Sequence, residues 1–183
     1  MSEPGEPEYL EPRAVHNRPI FLAEPDPAWA LQFTQARSRI QAALGDRAVD
    51  VEHVGSTSIP GLPAKPILDI LLVVDDSADE SSYVPDLTGI GYRLRIREPH
   101  WQEHRLFRRD EPDTNLHVFG SGAVEVDRLL LFRDWLRGHA DDRDRYADAK
   151  RTLAAQPWEY VQDYADAKST VVEEILTRAA EGG

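Results

Sequence analysis

The chain has 183 residues, no cysteine and a formal net charge of −12, which excludes disulfides and cysteine–metal centres. A large acidic excess argues against broad binding to nucleic acid, which depends on phosphate neutralisation by Lys and Arg, but it leaves room for a small anionic ligand held by a local cluster of cations. With 41% hydrophobic and 30% charged residues, the sequence reads as one globular domain. No apolar run approaches the ~20 residues needed to cross a bilayer. The acidic, proline-rich start MSEPGEPEYLEPR lacks the basic and apolar parts of a signal peptide, so a cytoplasmic location and no membrane partner are expected.

Residues 1–17 show no apolar periodicity and are expected to form a mobile tail ahead of a domain at 18–180. Asp26-Pro27 then opens a helix, an N-cap acceptor followed by proline in the first turn. Trp29, Phe33, Ala36, Ile40 and Ala43 give that helix one apolar face, and Gly45 ends it. Residues 49–54 read as a strand, and Gly55 to Pro66 as a shaped loop rich in glycine and proline. Ile67 to Val74 is a near-continuous apolar run, as in a central strand. A helix weakened by Pro85 is expected at 79–88, then a strand through Tyr92, Leu94 and Ile96, and two short strands at 105–109 and 115–119. Helices follow at roughly 124–138, 141–155 and 158–180. The fold class is α/β (α+β), a mixed sheet flanked by helices with a helical C-terminal third.

Asp69 interrupts the apolar run at 67–74. Aspartate is disfavoured in strands, and a buried carboxylate must meet a cation, a metal or several donors; it is either a paired structural group or a functional one. Gly55-Ser56 directly follows a strand, where glycine permits close backbone approach and the hydroxyls of Ser56 and Thr57 can meet a phosphate. Lys168 and Arg133 each lie within a helical apolar stripe, where a cation either snorkels to water or faces an anion. Lys65 and Arg105 or Arg108 could join one cationic pocket. His117 is a strand histidine, usually a core or edge group. Glu52 and His53 point to opposite faces of their strand. His100 and His104 flank Trp101 on an expected loop and have little claim to a metal or substrate.

Asp26-Pro27-Ala28-Trp29, the block EHVGSTSIPGLPAKPILDILLVV, Leu106-Phe107-Arg108, Leu116-His117-Val118, LLFRDWLR at 130–137 and Tyr164-Ala165-Asp166-Ala167-Lys168 together resemble the GrpB family. The resemblance spans about residues 20–178. It implies a branch of the nucleotidyltransferase-like superfamily, some of whose members are fused to dephospho-CoA kinase. In that superfamily the strand of Asp69 carries a pair of carboxylates two residues apart, which bind two Mg²⁺ ions and neutralise a triphosphate. Here the second position is Leu71, and the place of a third carboxylate on a later strand falls to His117. The resemblance therefore implies either a metal set of Asp69, Glu52 and His117, with Mg²⁺ or, given a histidine, Mn²⁺ or Zn²⁺, or a site with one metal or none.

Three functions follow as expectations. The first is metal-dependent transfer of a nucleotidyl group from a nucleoside triphosphate to a small acceptor. Asp69 and His117 would be catalytic, while Gly55, Ser56, Thr57, Lys65, Arg108, Arg133 and Lys168 would hold the phosphates. The second is a module with a degenerate site that binds a nucleotide or phosphorylated metabolite. The third is hydrolytic or acid–base chemistry by Asp69, His117 and the loop histidines on the same scaffold.

Overall fold

The computed structural model describes residues 5–13, 15–17 and 19–182. Its six strands are β1 (Glu8–Tyr9), β2 (Asp50–Val54), β3 (Leu68–Val74), β4 (Arg93–Glu98), β5 (His104–Arg109) and β6 (Thr114–Gly120). They form one sheet in the order β1-β4-β5-β6-β3-β2, with β3 and β6 parallel and the other pairs antiparallel. Its helices are α1 (Ala28–Leu44), α2 (Val84–Gly89), α3 (Val124–Gly138), α4 (Ala140–Ala154), α5 (Val161–Ala167) and α6 (Ser169–Gly182). The expected mixed sheet with a helical C-terminal third is present. No helix among the described residues is long and apolar enough to cross a membrane.

Strand alternation divides the core. Val51, Ile70, Leu72, Val74, Leu116 and Val118 point to one face and bury against Trp29, Ala36, Ile40 and Leu44 of α1 and Leu87 of α2. Val54, Leu71, Val73 and Phe119 point to the other face and pack on Val126, Leu129 and Leu130 of α3. Asp69 is in phase with Leu71 and shares this second face. Ile59 and Leu62, from the loop between β2 and β3, pack on Leu136, Tyr146 and Ile175, which ties the loop to α3, α4 and α6.

Several local expectations hold, and others shift for identifiable reasons. The Asp26 carboxylate accepts the Ala28 N–H at 2.8 Å as α1 begins, and Gly45, at φ +58°, ends that helix. The helix expected at 79–88 is two pieces, a 3₁₀ turn at Glu80–Ser82 and α2, because Pro85 sits in the first turn of α2 and cannot lie inside a longer helix. The helix expected at 158–180 is also two, broken at Lys168: its N–H bonds to the Ala165 carbonyl, and its own carbonyl accepts from Val172 at the start of α6. The acidic start is in contact with the fold over part of its length. Tyr9 pairs with Ile96 on β4, and the Leu10 N–H reaches the Arg95 carbonyl. Residues 1–4 and 14 of the expected tail lie outside the described residues.

At the other end of the sheet β2 pairs only with β3, and the Val51 N–H on its open side is taken by the Asp50 carboxylate at 2.8 Å.

Leu71, which replaces the second carboxylate of the superfamily pattern, is fully buried. The Leu71→Asp substitution should therefore cost at least about 3 kcal/mol, through lost packing and an unpaired buried carboxyl group, rather than restore a ligand pair. Urea unfolding measures the loss.

Candidate functional site

A cavity of about 460 Å³ opens on the second face of the sheet, beneath the loop that joins β2 to β3. Gly55 leaves β2 at φ +68°, and a Cβ there would lie 2.5 Å from Asp69 Oδ2 and 2.8 Å from Asp69 Cβ. Glycine is thus required both by conformation and by the closeness of the carboxylate. The following 3₁₀ turn, Ser56–Ser58, is closed by the Ser58 hydroxyl, which donates to the Gly55 carbonyl at 2.6 Å. Gly55, Ser56 and Thr57 all line the cavity. Thr57 also lines a second, larger cavity of about 710 Å³ behind the loop. There its hydroxyl meets His53 Nε2 at 2.9 Å, and burial is the main cause that lowers His53 to about 4.

Asp69 is placed by β3 and held by β6. Its pairing partner Asn115 donates Nδ2–H to Asp69 Oδ1 at 2.9 Å, and His117 Nε2 lies 3.4 Å from the same oxygen. The Asn115 carbonyl accepts from Arg108 at 2.6 Å, and Arg108 also bonds Asp113 at 2.5 Å, so Arg108 sets the orientation of the amide. Burial alone would push the Asp69 carboxyl above its ordinary value. The hydrogen bonds from His117 and Asn115 and the charge of Lys65 outweigh it, and the carboxyl is held below its ordinary value.

Opposite Asp69 stand Lys65 of the loop, Lys150 of α4 and Lys168 at the α5–α6 break, all lining the same cavity. The Lys65 and Lys168 ammoniums sit over the Tyr164 ring at 5.7 and 4.3 Å from its centroid. Lys150, 2% exposed, donates to the Pro63 carbonyl at 2.6 Å. Burial lowers all three: Lys168 to about 8, with Lys65 adding to the effect, and Lys150 well below its ordinary value, with Lys168 and Lys65 adding to it. Like charges crowded in one low-dielectric cavity create a field that an anion would relieve.

The structure therefore brings together Asp69, His117, Gly55, Ser56, Thr57, Lys65, Arg108 and Lys168. It does not bring in Arg133 or Glu52. Arg133 Nη1 bonds Glu52 at 2.5 Å and the His53 carbonyl at 3.1 Å, its Nε bonds Asp134, and both Arg133 and Glu52 line the larger cavity instead. The alternative cation Arg105 pairs with Glu80 and Glu103. Lys150 and Asn115 were not singled out from sequence. The signal for Lys150 was present, because Tyr146, Ala147, Lys150 and Ala154 define the buried face of α4.

The expected metal set is not assembled. Glu52 is committed to Arg133, and His117 has one ring nitrogen towards Asp69 and the other, Nδ1, 3.2 Å from His104 Nε2. Among the described residues no group of three His, Cys, Asp or Glu side chains is placed to hold an ion. One carboxylate facing three ammoniums and Arg108 does not fit a pair of divalent cations, which needs several oxygen donors.

Two substitutions separate these roles. Gly55→Ala should destabilise the fold by about 2–4 kcal/mol, combining a strained φ with the clash on Asp69. Arg133→Met should cost about 1–3 kcal/mol by leaving Glu52 unpaired, yet leave the binding of any ligand that the Asp69 cavity takes within about twofold, since additivity holds for sites without shared partners. Chemical unfolding and titration calorimetry read the two effects.

The sequence model of the GrpB protein family matches residues 19–178. A UPF0157 protein of Halalkalibacterium halodurans is 60% identical over 164 residues, 90% of this chain and 84% of that protein. A protein of Mycolicibacterium paratuberculosis named dephospho-CoA kinase is 29% identical over 93% of this chain, which corresponds to 48% of its own length. The crystal structure of the conserved protein GrpB from Enterococcus faecalis overlays with a TM-score of 0.71 and 26% identity, covering 88% of this chain and 98% of that one. By its sequence along nearly its whole length, the chain belongs to the GrpB family.

Proposed function

We propose that the Asp69 cavity binds a phosphate-bearing small molecule, with a nucleotide or nucleotide-like metabolite as the favoured class. The carrying observation is the convergence of Lys65, Lys150 and Lys168 on one cavity whose lining, among the described residues, holds a single carboxylate, that of Asp69, with Asp113 nearby but paired to Arg108. Ammonium groups short of counter-charge are stabilised by a bound anion. The Gly55-Ser56 turn adds backbone N–H groups and a hydroxyl, the usual furniture of a phosphate cradle. A volume of about 460 Å³ suits a ligand of metabolite size.

In this reading the lysines take the neutralising role that paired metal ions have in the superfamily pattern. Asp69 and His117 face the bound molecule as the groups able to exchange a proton. Calorimetric titration with pyrophosphate and with ATP, in EDTA and then with Mg²⁺ or Mn²⁺, tests it. Binding that survives EDTA is expected. Absence of binding by any phosphate compound overturns it, and a strict requirement for a divalent ion returns the site to metal-dependent nucleotidyl transfer.

The lysines make two further outcomes specific. Lys168→Ala should weaken phosphate binding at least about tenfold, or about 1.4 kcal/mol. Burial holds Lys168 at about 8 in the empty cavity, whereas an anion favours its charged form. Above pH 8 binding must therefore take up a proton, and affinity should fall by up to about tenfold per pH unit. Calorimetry in buffers of different ionisation enthalpy counts that proton.

A further inference from the structure

Asp69 is the inner end of a hydrogen-bonded chain that leaves the cavity across one face of the sheet. Its Oδ1 lies 3.4 Å from His117 Nε2, His117 Nδ1 lies 3.2 Å from His104 Nε2, and His104 Nδ1 lies 2.6 Å from Glu98 Oε2. The links pass from β3 to β6, β5 and β4, which are consecutive neighbours in the sheet. His104 is 3% exposed, with its ring stacked on Phe119 at 4.6 Å and edge-on to Trp101 at 5.0 Å. The Glu98 side chain, 23% exposed, reaches solvent.

The turn that delivers His104 is strained. Gln102 and Glu103, immediately before it, have φ of +54° and +53°. Two successive non-glycine residues in the left-handed region cost of order 1–3 kcal/mol each, and such strain gathers where a side chain must be aimed. The turn is held from α3, whose Glu125 N–H donates to Gln102 Oε1 at 3.0 Å.

The proton inventory of this chain is constrained. Three links between two terminal carboxylates need three protons, whereas two neutral imidazoles carry two. With every link made, the histidine pair holds one extra proton; with the pair neutral, one link is open. We infer that Glu98, His104 and His117 form a proton relay that couples Asp69, inside the cavity, to the outer surface. A proton received by Asp69 passes to Nε2 of a neutral His117. His117 gives its Nδ1 proton to His104 Nε2, and His104 gives its Nδ1 proton to Glu98 and so to water. The reverse sequence returns a proton to the cavity. No bond other than N–H and O–H is made or broken.

Glu98 and His104 are thus positioning residues, acting through His117. The charged groups that face the chain include Arg105 beside His104, Glu125 of α3 towards His117, and Lys65, Lys150, Lys168 and Asp113 around Asp69. The inference rests on the same cavity as the proposed phosphate site, but its test needs no ligand.

Nitrogen-15 NMR of the histidine rings across pH 5–9 provides the test. In the wild-type protein the His104 and His117 nitrogens should move together as one coupled unit. Glu98→Gln should shift the ring nitrogens of His117, which Glu98 does not touch, and His104→Gln should abolish the coupling while the amide spectrum stays folded. Independent titration of the two rings, or a His117 spectrum unmoved by Glu98→Gln in a folded protein, overturns the relay. Phosphate binding by Glu98→Gln in EDTA distinguishes the two readings. It should be retained, and its loss in the wild-type protein would remove the phosphate proposal while leaving the ring spectra to decide the relay.

Discussion

A carboxylate on a central strand is the constraint from which the site follows. Asp69 occupies β3, between two other strands and beneath a helical layer. Such a group survives there only if donors meet it. The parallel pairing of β3 with β6 supplies Asn115 directly opposite and His117 two residues on. Arg108 on the next strand then fixes the amide that faces Asp69. The closeness of Gly55 completes the enclosure, because any side chain at that position would collide with the carboxylate. Fold and site are thus set by one half-buried charge and the register of the strands beside it.

The lysines follow from the same geometry at longer range. With Arg108 paired to Asp113, one carboxylate is left to face three lysines in a partly enclosed space. Burial lowers the lysines while Asp69 opposes that shift. The cavity stands electrostatically apart from its protein, a cationic interior within a chain of net charge −12. Composition alone could not reveal this, since it sums over the whole surface and the cluster depends on how the β2–β3 loop, α4 and the α5–α6 break meet.

What could be read from the sequence tracks how local each determinant is. The apolar run of β3, the proline at the start of α1 and the turn at Gly55 are written in neighbouring residues, and all were legible. Asp69 stood out because it contradicts its own surroundings. Arg133 was misplaced for the opposite reason. Its stripe correctly put it on an inward face of α3, but periodicity does not say which cavity that face meets, and Glu52 on the edge strand claimed it first. His104 was undervalued because a loop assignment hid its place on β5 and its burial beside Phe119. Breaks such as the one at Lys168 depend on tertiary contacts, and no helix-breaking residue marks it.

Arg133 has a consequence beyond its ion pair. Strand β2 closes the sheet on one side, and an open strand edge is a template for another chain. Along that edge the Val51 N–H is occupied by the Asp50 carboxylate, and the His53 carbonyl is occupied by Arg133. A seventh strand could be added there only by displacing both side chains, one acidic and one basic, from groups they already satisfy. The arginine that sequence assigned to a ligand thus occupies a backbone group of the edge strand β2, in a sheet whose opposite edge is a strand of only two residues.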